Sequence, residues 1–165
     1  MTAEMKKLIT LSFVICVVLC SCSAYTEPDE ICVNRVFNSE ADIQFNETAY
    51  TADFTFNENG CSAVFSLPEE ISGLTFSTDG NATMYSLGNL KYTAEETPNQ
   101  TLLINAIYSA VTSLPQTATL NEQTYILQGT SEYGKYIMYI NKDTFIPTFI
   151  EYEDKDITVK FRQST

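Results

Sequence analysis

Residues 50–67 read Tyr50-Thr51-Ala52-Asp53-Phe54-Thr55-Phe56-Asn57-Glu58-Asn59-Gly60-Cys61-Ser62-Ala63-Val64-Phe65-Ser66-Leu67, and their alternation decides the fold. Tyr50, Ala52, Phe54 and Phe56 alternate with Thr51, Asp53 and Thr55, the period-two pattern of a strand with one buried face. Asn59-Gly60 is the favoured pair for a two-residue hairpin loop, because both positions need positive φ. With those two as the loop, Phe56 pairs with Ala63, Phe54 with Phe65 and Ala52 with Leu67, while Asn57 meets Ser62 and Asp53 meets Ser66. One face is then apolar and the other largely polar, and a slip of one residue would mix them. Turn chemistry and periodicity agree on an antiparallel hairpin.

Upstream, Ile43 and Phe45 alternate with Asp42 and Gln44, so strands begin near Ala41. Ile31, Cys32, Val36 and Phe37 stand at roughly helical spacing and predict a short helix before the first strand. Downstream, Pro68 interrupts pairing, Gly73 to Phe76 resumes an extended segment, and Asp79-Gly80 turns the chain. Thr83 to Leu87 and Leu90 to Thr93 are the next strands, parted at Gly88-Asn89. Thr97-Pro98-Asn99-Gln100 then places Thr at an N-cap, Pro at the first helical position and Gln at the third, a capping box with a proline start. Leu103, Ile107, Ala110, Val111 and Leu114 form an apolar stripe, widened by Leu102, Ile104 and Tyr108, and Pro115 stops the helix. A stripe that wide needs a concave partner.

After the helix, Tyr125 to Leu127 and Tyr136 to Ile140 are strands, divided by Gly129 and Gly134. Tyr136, Met138 and Ile140 alternate with Ile137 and Tyr139, so both faces are apolar and the strand is central. A last hairpin turning at Asp154-Lys155 pairs Tyr152 with Ile157, Ile150 with Val159 and Thr148 with Phe161. The whole describes an α+β fold: a strongly curved antiparallel β-sheet, an unclosed half-barrel of about eight to eleven strands, wrapped around one main helix and formed by residues 31–165.

The N-terminal region has a different character. Lys6 and Lys7 precede an apolar run from Leu8 to Cys20, the layout of an export signal, too short for a span of about 20 apolar residues. Leu19-Cys20-Ser21-Cys22 resembles the lipobox of bacterial lipoproteins, with Leu three residues before the modified cysteine and a small residue directly before it. The resemblance makes residues 1–21 a lipoprotein signal peptide, Cys22 the lipidation site and residues 22–30 a tether. It implies an exported chain, anchored by lipid to the outer face of the bacterial cell membrane. The diacylglyceryl group it implies holds a membrane durably, where one acyl chain would not.

Past residue 21 the chain keeps every Asp and Glu of its 21 except Glu4, and all of its nine Lys and Arg except Lys6 and Lys7. So acidic a surface is repelled by phosphate backbones and anionic headgroups, which excludes nucleic acid as a partner. Cys16 and Cys20 leave with the signal, so Cys32 and Cys61 remain. A disulfide between them and two small buried thiols account for that pair equally.

Catalytic chemistry is poorly supplied. The chain has no His, which removes Ser-His-Asp, Cys-His and ordinary zinc sites. Glu151, Glu153, Asp154 and Asp156 bracket a hairpin tip, match no calcium loop and read as a solvated turn. Glu69 and Glu70 are adjacent on an extended segment and point to opposite faces, which removes them as a carboxylate pair. Neither metal nor cofactor is expected. Asn46-Glu47-Thr48, Asn81-Ala82-Thr83 and Asn99-Gln100-Thr101 fit glycosylation sequons, which arise by chance in a chain this rich in Asn and Thr.

The order of elements resembles the LolA/LolB-like lipoprotein-carrier superfamily. The resemblance runs from the hairpin strands through the interruption at Leu67-Pro68 and the mid-chain helix to Ile146-Pro147-Thr148-Phe149-Ile150 and the terminal hairpin. It implies a non-catalytic protein binding an apolar ligand, an acyl chain or a lipidated partner in the concavity between sheet and helix. Leu103, Ile107, Tyr108, Val111, Tyr136, Met138 and Tyr139 are the candidate lining, with plain core packing as the competing account. The alternative function is an envelope protein–protein interaction module with a dry core, using its exposed sheet face.

Overall fold

The hairpin forms with its two-residue loop moved one residue toward the N-terminus, so that each expected partner shifts by two. In a computed structural model of the chain, which describes residues 31–93 and 99–162, strand β2 (Thr48–Asn57) pairs with β3 (Gly60–Leu67) through Phe56 opposite Cys61, Phe54 opposite Ala63 and Ala52 opposite Phe65. The loop is Glu58-Asn59. Two local interactions account for the correction. The Asn59 N–H donates to Asn57 Oδ1 at 2.8 Å, so the Asn57 side chain organises the turn from inside the strand. Gly60 is needed for another reason: its φ is +150° and a Cβ there would fall 2.2 Å from the Thr78 carbonyl oxygen. The displacement is even, so every residue keeps its expected face, and a bulge between Thr51 and Ala52 then sets Thr51 opposite Leu67.

The remaining strands are β1 (Phe37–Phe45), β4 (Leu74–Thr78), β5 (Thr83–Leu87), β6 (Leu90–Thr93), β7 (Thr117–Asn121), β8 (Thr124–Ser131), β9 (Gly134–Asn141), β10 (Pro147–Tyr152) and β11 (Ile157–Arg162), with one α-helix, α1 (Asn99–Thr112), among the described residues. All eleven strands form a single antiparallel sheet in the order β6-β5-β4-β3-β2-β1-β11-β10-β9-β8-β7. The chain thus meanders outward from β1, crosses by α1 to the opposite edge, and meanders back to β11 beside β1. Flat, such a sheet would separate β4 from β8 by about 34 Å, yet α1, roughly 10–12 Å across, touches β3 and β4 on one half and β8 and β10 on the other. The sheet is curved and unclosed.

Hydrophobic alternation sets the rest. Ala41, Ile43 and Phe45 of β1, and Ile157, Val159 and Phe161 of β11, are buried on one face together with Leu103, Ile104, Ile107 and Val111 of α1. Phe37 stacks on Phe56 at 4.6 Å, and Phe161 meets Phe54 edge to face at 5.8 Å. The terminal hairpin has the expected register, Tyr152 opposite Ile157 and Ile150 opposite Val159, with pairing ending at Phe149 and Lys160. Asp79 turns the β4–β5 connection by accepting the N–H groups of Asn81 and Ala82 at 2.8 and 2.9 Å.

Several expectations need correction. Among the described residues no helix precedes the first strand: Ile31 to Val36 has no regular structure and β1 already begins at Phe37, because Phe37, Ser39 and Ala41 continue the alternation inward. Leu114 lies beyond the last turn of α1 and is 74% exposed. Gly129 sits inside β8, where it makes room for Tyr136. Strand β7 is an addition to the expected set, since only Ala118 and Leu120 carry its alternation. The proposed capping residues Thr97 and Pro98, and the residues before 31, lie outside the described residues.

Candidate functional site

The candidate lining residues separate into three places. Leu103, Ile107, Val111 and Met138 are each 0% exposed, so no void as large as a water molecule borders them, and Tyr136 beside them is 1% exposed. They interlock α1 with the inner face of the sheet and leave no open concavity at these positions. Tyr139 falls on the opposite face of β9, as strand alternation requires, and there meets Phe149 edge to face at 5.5 Å. Tyr108 is half-buried at the rim, its hydroxyl donating to the Asp79 carbonyl at 3.4 Å. It borders a polar cleft of about 180 Å³ with Gly80, Asn105, Glu132 and Tyr133.

The interior holds a small polar group. The Tyr152 hydroxyl donates to the Ala106 carbonyl of α1 at 2.8 Å and lies 2.9 Å from Ser131 Oγ. Burial pushes its ionisation up to about 12. The Tyr136 ring packs over Gly129, where a Cβ would fall 2.5 Å from the Tyr136 hydroxyl oxygen, and burial raises its ionisation too. Among the described residues that hydroxyl has no hydrogen-bond partner, and neither does Thr101 Oγ1 in the first turn of α1. Two contacts fasten the helix from outside. Arg35 Nη2 donates to the Thr112 carbonyl at 2.7 Å, a cationic cap on the helix C-terminus, and Thr83 Oγ1 donates to Asn105 Oδ1 at 2.9 Å.

Cys32 and Cys61 are both free thiols, the first exposed and the second buried, and burial pushes Cys61 up to about 12. Cys61 lines the floor of a depression of about 400 Å³ at the β2–β3 turn, with Gly60, Thr78 and Met84. Among the described residues no three His, Cys, Asp or Glu side chains converge on a metal site. No described helix is long and apolar enough to cross a membrane. Cys22 lies outside the described residues.

Sequence reasoning missed the surface leucines. Leu74, Leu87 and Leu90 form one register row across β4, β5 and β6, on the face that Phe76 and Thr78 bury. Leu87 is 52% and Leu90 59% exposed, and Leu67, at the end of β3, is 54% exposed. Strand alternation puts the row on the inner face, where Leu74 packs against the edge of the core and a helix of only 14 residues leaves Leu87 and Leu90 half-exposed. On the outer face, Arg162 bridges Glu40 and Asp42, its Nε donating to Asp42 Oδ2 at 2.8 Å.

No protein-family model and no curated protein matches the chain. Among solved structures it is similar to a LolA superfamily protein from Nitrosomonas europaea, at 13% identity and a TM-score of 0.43 over 84% of this chain and 75% of that one. It is also similar to an uncharacterised conserved protein from Thermus thermophilus, at 13% identity and a TM-score of 0.45, covering 78% and 79% of the two chains. A DUF1329 family protein from Desulfovibrio piger gives 13% identity and a TM-score of 0.40, covering 82% and 87%.

Proposed function

We propose that this protein is a non-catalytic binding protein, anchored through lipid at Cys22 to the outer face of a bacterial membrane, whose half-barrel sheet wraps α1 and recognises a partner with its surface. The observation that carries this reading is the sealed contact between α1 and the sheet, at Leu103, Ile107, Val111 and Met138, set against half-exposed leucines at Leu67, Leu87 and Leu90. A packed interior offers a ligand no volume, whereas exposed apolar surface gains by being covered. The anchor rests on the Leu19 to Cys22 pattern. Labelled palmitate fed to expressing cells is expected to enter the full-length chain and not its Cys22→Ser variant. Equal labelling of both would remove the anchor. Crosslinking in intact cells is expected to yield one defined protein adduct.

A second reading keeps an apolar ligand or lipidated partner between sheet and helix, reached when α1 lifts. It is favoured by the unpartnered Tyr136 hydroxyl and Thr101 Oγ1, since a buried hydroxyl without a partner costs about 1–3 kcal/mol that a ligand's polar group would recover. Native mass spectrometry of the full-length protein separates the two. A stoichiometric copurifying lipid supports the second, and an empty protein that still crosslinks supports the first.

A further inference from the structure

The turns of the antiparallel sheet fall at two opposite ends, and the described chain enters at one of them. Phe37 opens β1 opposite Phe56, beside the β2–β3 turn, and the Asn34 N–H is fixed to the Phe145 carbonyl of the β9–β10 loop at 2.9 Å. An anchor upstream of Ile31 therefore joins the domain at this end. Strand β1, nine residues long, carries the chain about 30 Å to the other end. There lie the β1–β2, β3–β4, β5–β6, β8–β9 and β10–β11 turns, as the registers of the paired strands require.

That distal end carries the exposed leucines. Leu87 and Leu90 face each other at the base of the β5–β6 turn, Leu74 extends their row, and Leu67 ends β3 at the same end. The charge at this end is predominantly acidic: Glu69 and Glu70 directly after β3, then Glu47 between β1 and β2, Glu132 between β8 and β9, and, farther along the sheet, Glu153, Asp154 and Asp156 between β10 and β11, all exposed, against Lys135, Lys155 and Lys91, the last turned by alternation to the face opposite Leu90. We propose that this distal end is a docking surface for a basic amphipathic segment of a second protein, whose apolar side chains cover Leu67, Leu87 and Leu90 while its Lys and Arg face the acidic turns. The inference rests on the surface-recognition reading above and names the place and the partner's chemistry. Charge complementarity selects the occupant. Fatty-acid carboxylates, anionic membrane surfaces and a second copy of this chain would all bring negative charge to the same turns. A lipid-anchored protein also presents its membrane-distal end to other proteins.

The test uses the full-length protein in detergent micelles, with empty micelles as the blank. Its probes are a fluorescent helical peptide of leucines at i, i+3, i+4 spacing with lysine elsewhere, and the same peptide with glutamate for lysine. The lysine peptide is expected to bind, with affinity falling as salt rises. It should bind at least about tenfold more weakly to Leu87→Ser/Leu90→Ser, given the apolar area lost, and several-fold more weakly to Glu69→Gln/Glu70→Gln. Glu58→Gln/Glu122→Gln at the anchored end should leave it unchanged. Circular dichroism melts matching the parent establish that these surface variants fold. Equal binding of the glutamate peptide, indifference to the leucine changes, or an equal loss with the anchored-end variant would each overturn the proposal. Hydrogen exchange separates its failure from that of the underlying reading. Protection around Tyr139 and Phe149 in place of residues 74–90 would move the surface elsewhere, whereas deprotection of α1 on binding would favour entry beneath the helix.

Discussion

Gly60 shows how one residue type serves two different demands. In the sequence, Asn59-Gly60 satisfies hairpin chemistry, but in the folded chain the absent side chain makes room for β4, since a Cβ would fall 2.2 Å from the Thr78 oxygen. Gly60→Ala is therefore expected to destabilise the protein by about 2 kcal/mol or more, read from urea denaturation, while Gly88→Ala, where a Cβ would meet nothing within 4 Å although φ is +57°, should cost about 1 kcal/mol. Equal losses at the two sites would show that turn conformation alone matters. Two buried tyrosines make a sharper pair. Tyr152→Phe removes a hydroxyl bonded to Ala106 and Ser131 and should cost about 1–2 kcal/mol. Tyr136→Phe removes one with no partner and should be neutral or stabilising by up to about 1 kcal/mol. A clear loss at Tyr136 would reveal a partner for its hydroxyl.

Helix α1 is where periodicity was informative and its end was not. The stripe Leu103, Ile107, Ala110 and Val111 is buried as the 3.6-residue spacing predicts, together with Ile104 from its expected widening, and Ala106 is buried in addition. Leu114 fits the same spacing yet is 74% exposed, since α1 closes at Thr112, where Arg35 caps its final carbonyl. Ile107→Ala should cost about 2–5 kcal/mol, the usual cost of a cavity in a packed core, and Leu114→Ala less than about 0.5 kcal/mol, measured by thermal melts. Similar costs would mean that the chain beyond Thr112 packs onto the core. Tyr139 illustrates the limit for strands. Its aromatic character fits a ligand wall, but alternation from Met138 turns it outward.

At the scale of the whole molecule, the closed interior gives a pH dependence with a definite sign. Burial favours the neutral forms of Cys61 and Tyr152 and raises both ionisations to about 12 in the folded state. Their contribution to stability is complete below the values of the unfolded chain, near 9 for the thiol and 10 for the phenol. It is lost as pH rises toward about 12. The melting temperature is expected to hold to about pH 9 and then fall steeply, less so in Tyr152→Phe, and a flat profile through pH 11 would contradict a sealed core. Peptide-resolved alkylation of the folded full-length protein at pH 8 should modify exposed Cys32 and spare Cys61.

By itself the sequence determined the antiparallel hairpins, the face of nearly every strand residue, the position of the helix and the absence of histidine chemistry. These are local properties, governed by a period of two or 3.6 and by which residues tolerate a turn. Only the tertiary structure decided the register at Gly60, the outward fate of Leu114, and the closing of α1 onto the sheet. It also decided that Leu74, Leu87 and Leu90 lie in a row at the end farthest from where the described chain begins. Those facts depend on how far eleven strands curve and how much of their inner face one 14-residue helix can cover, a matter of distances between segments remote in sequence that no local pattern encodes.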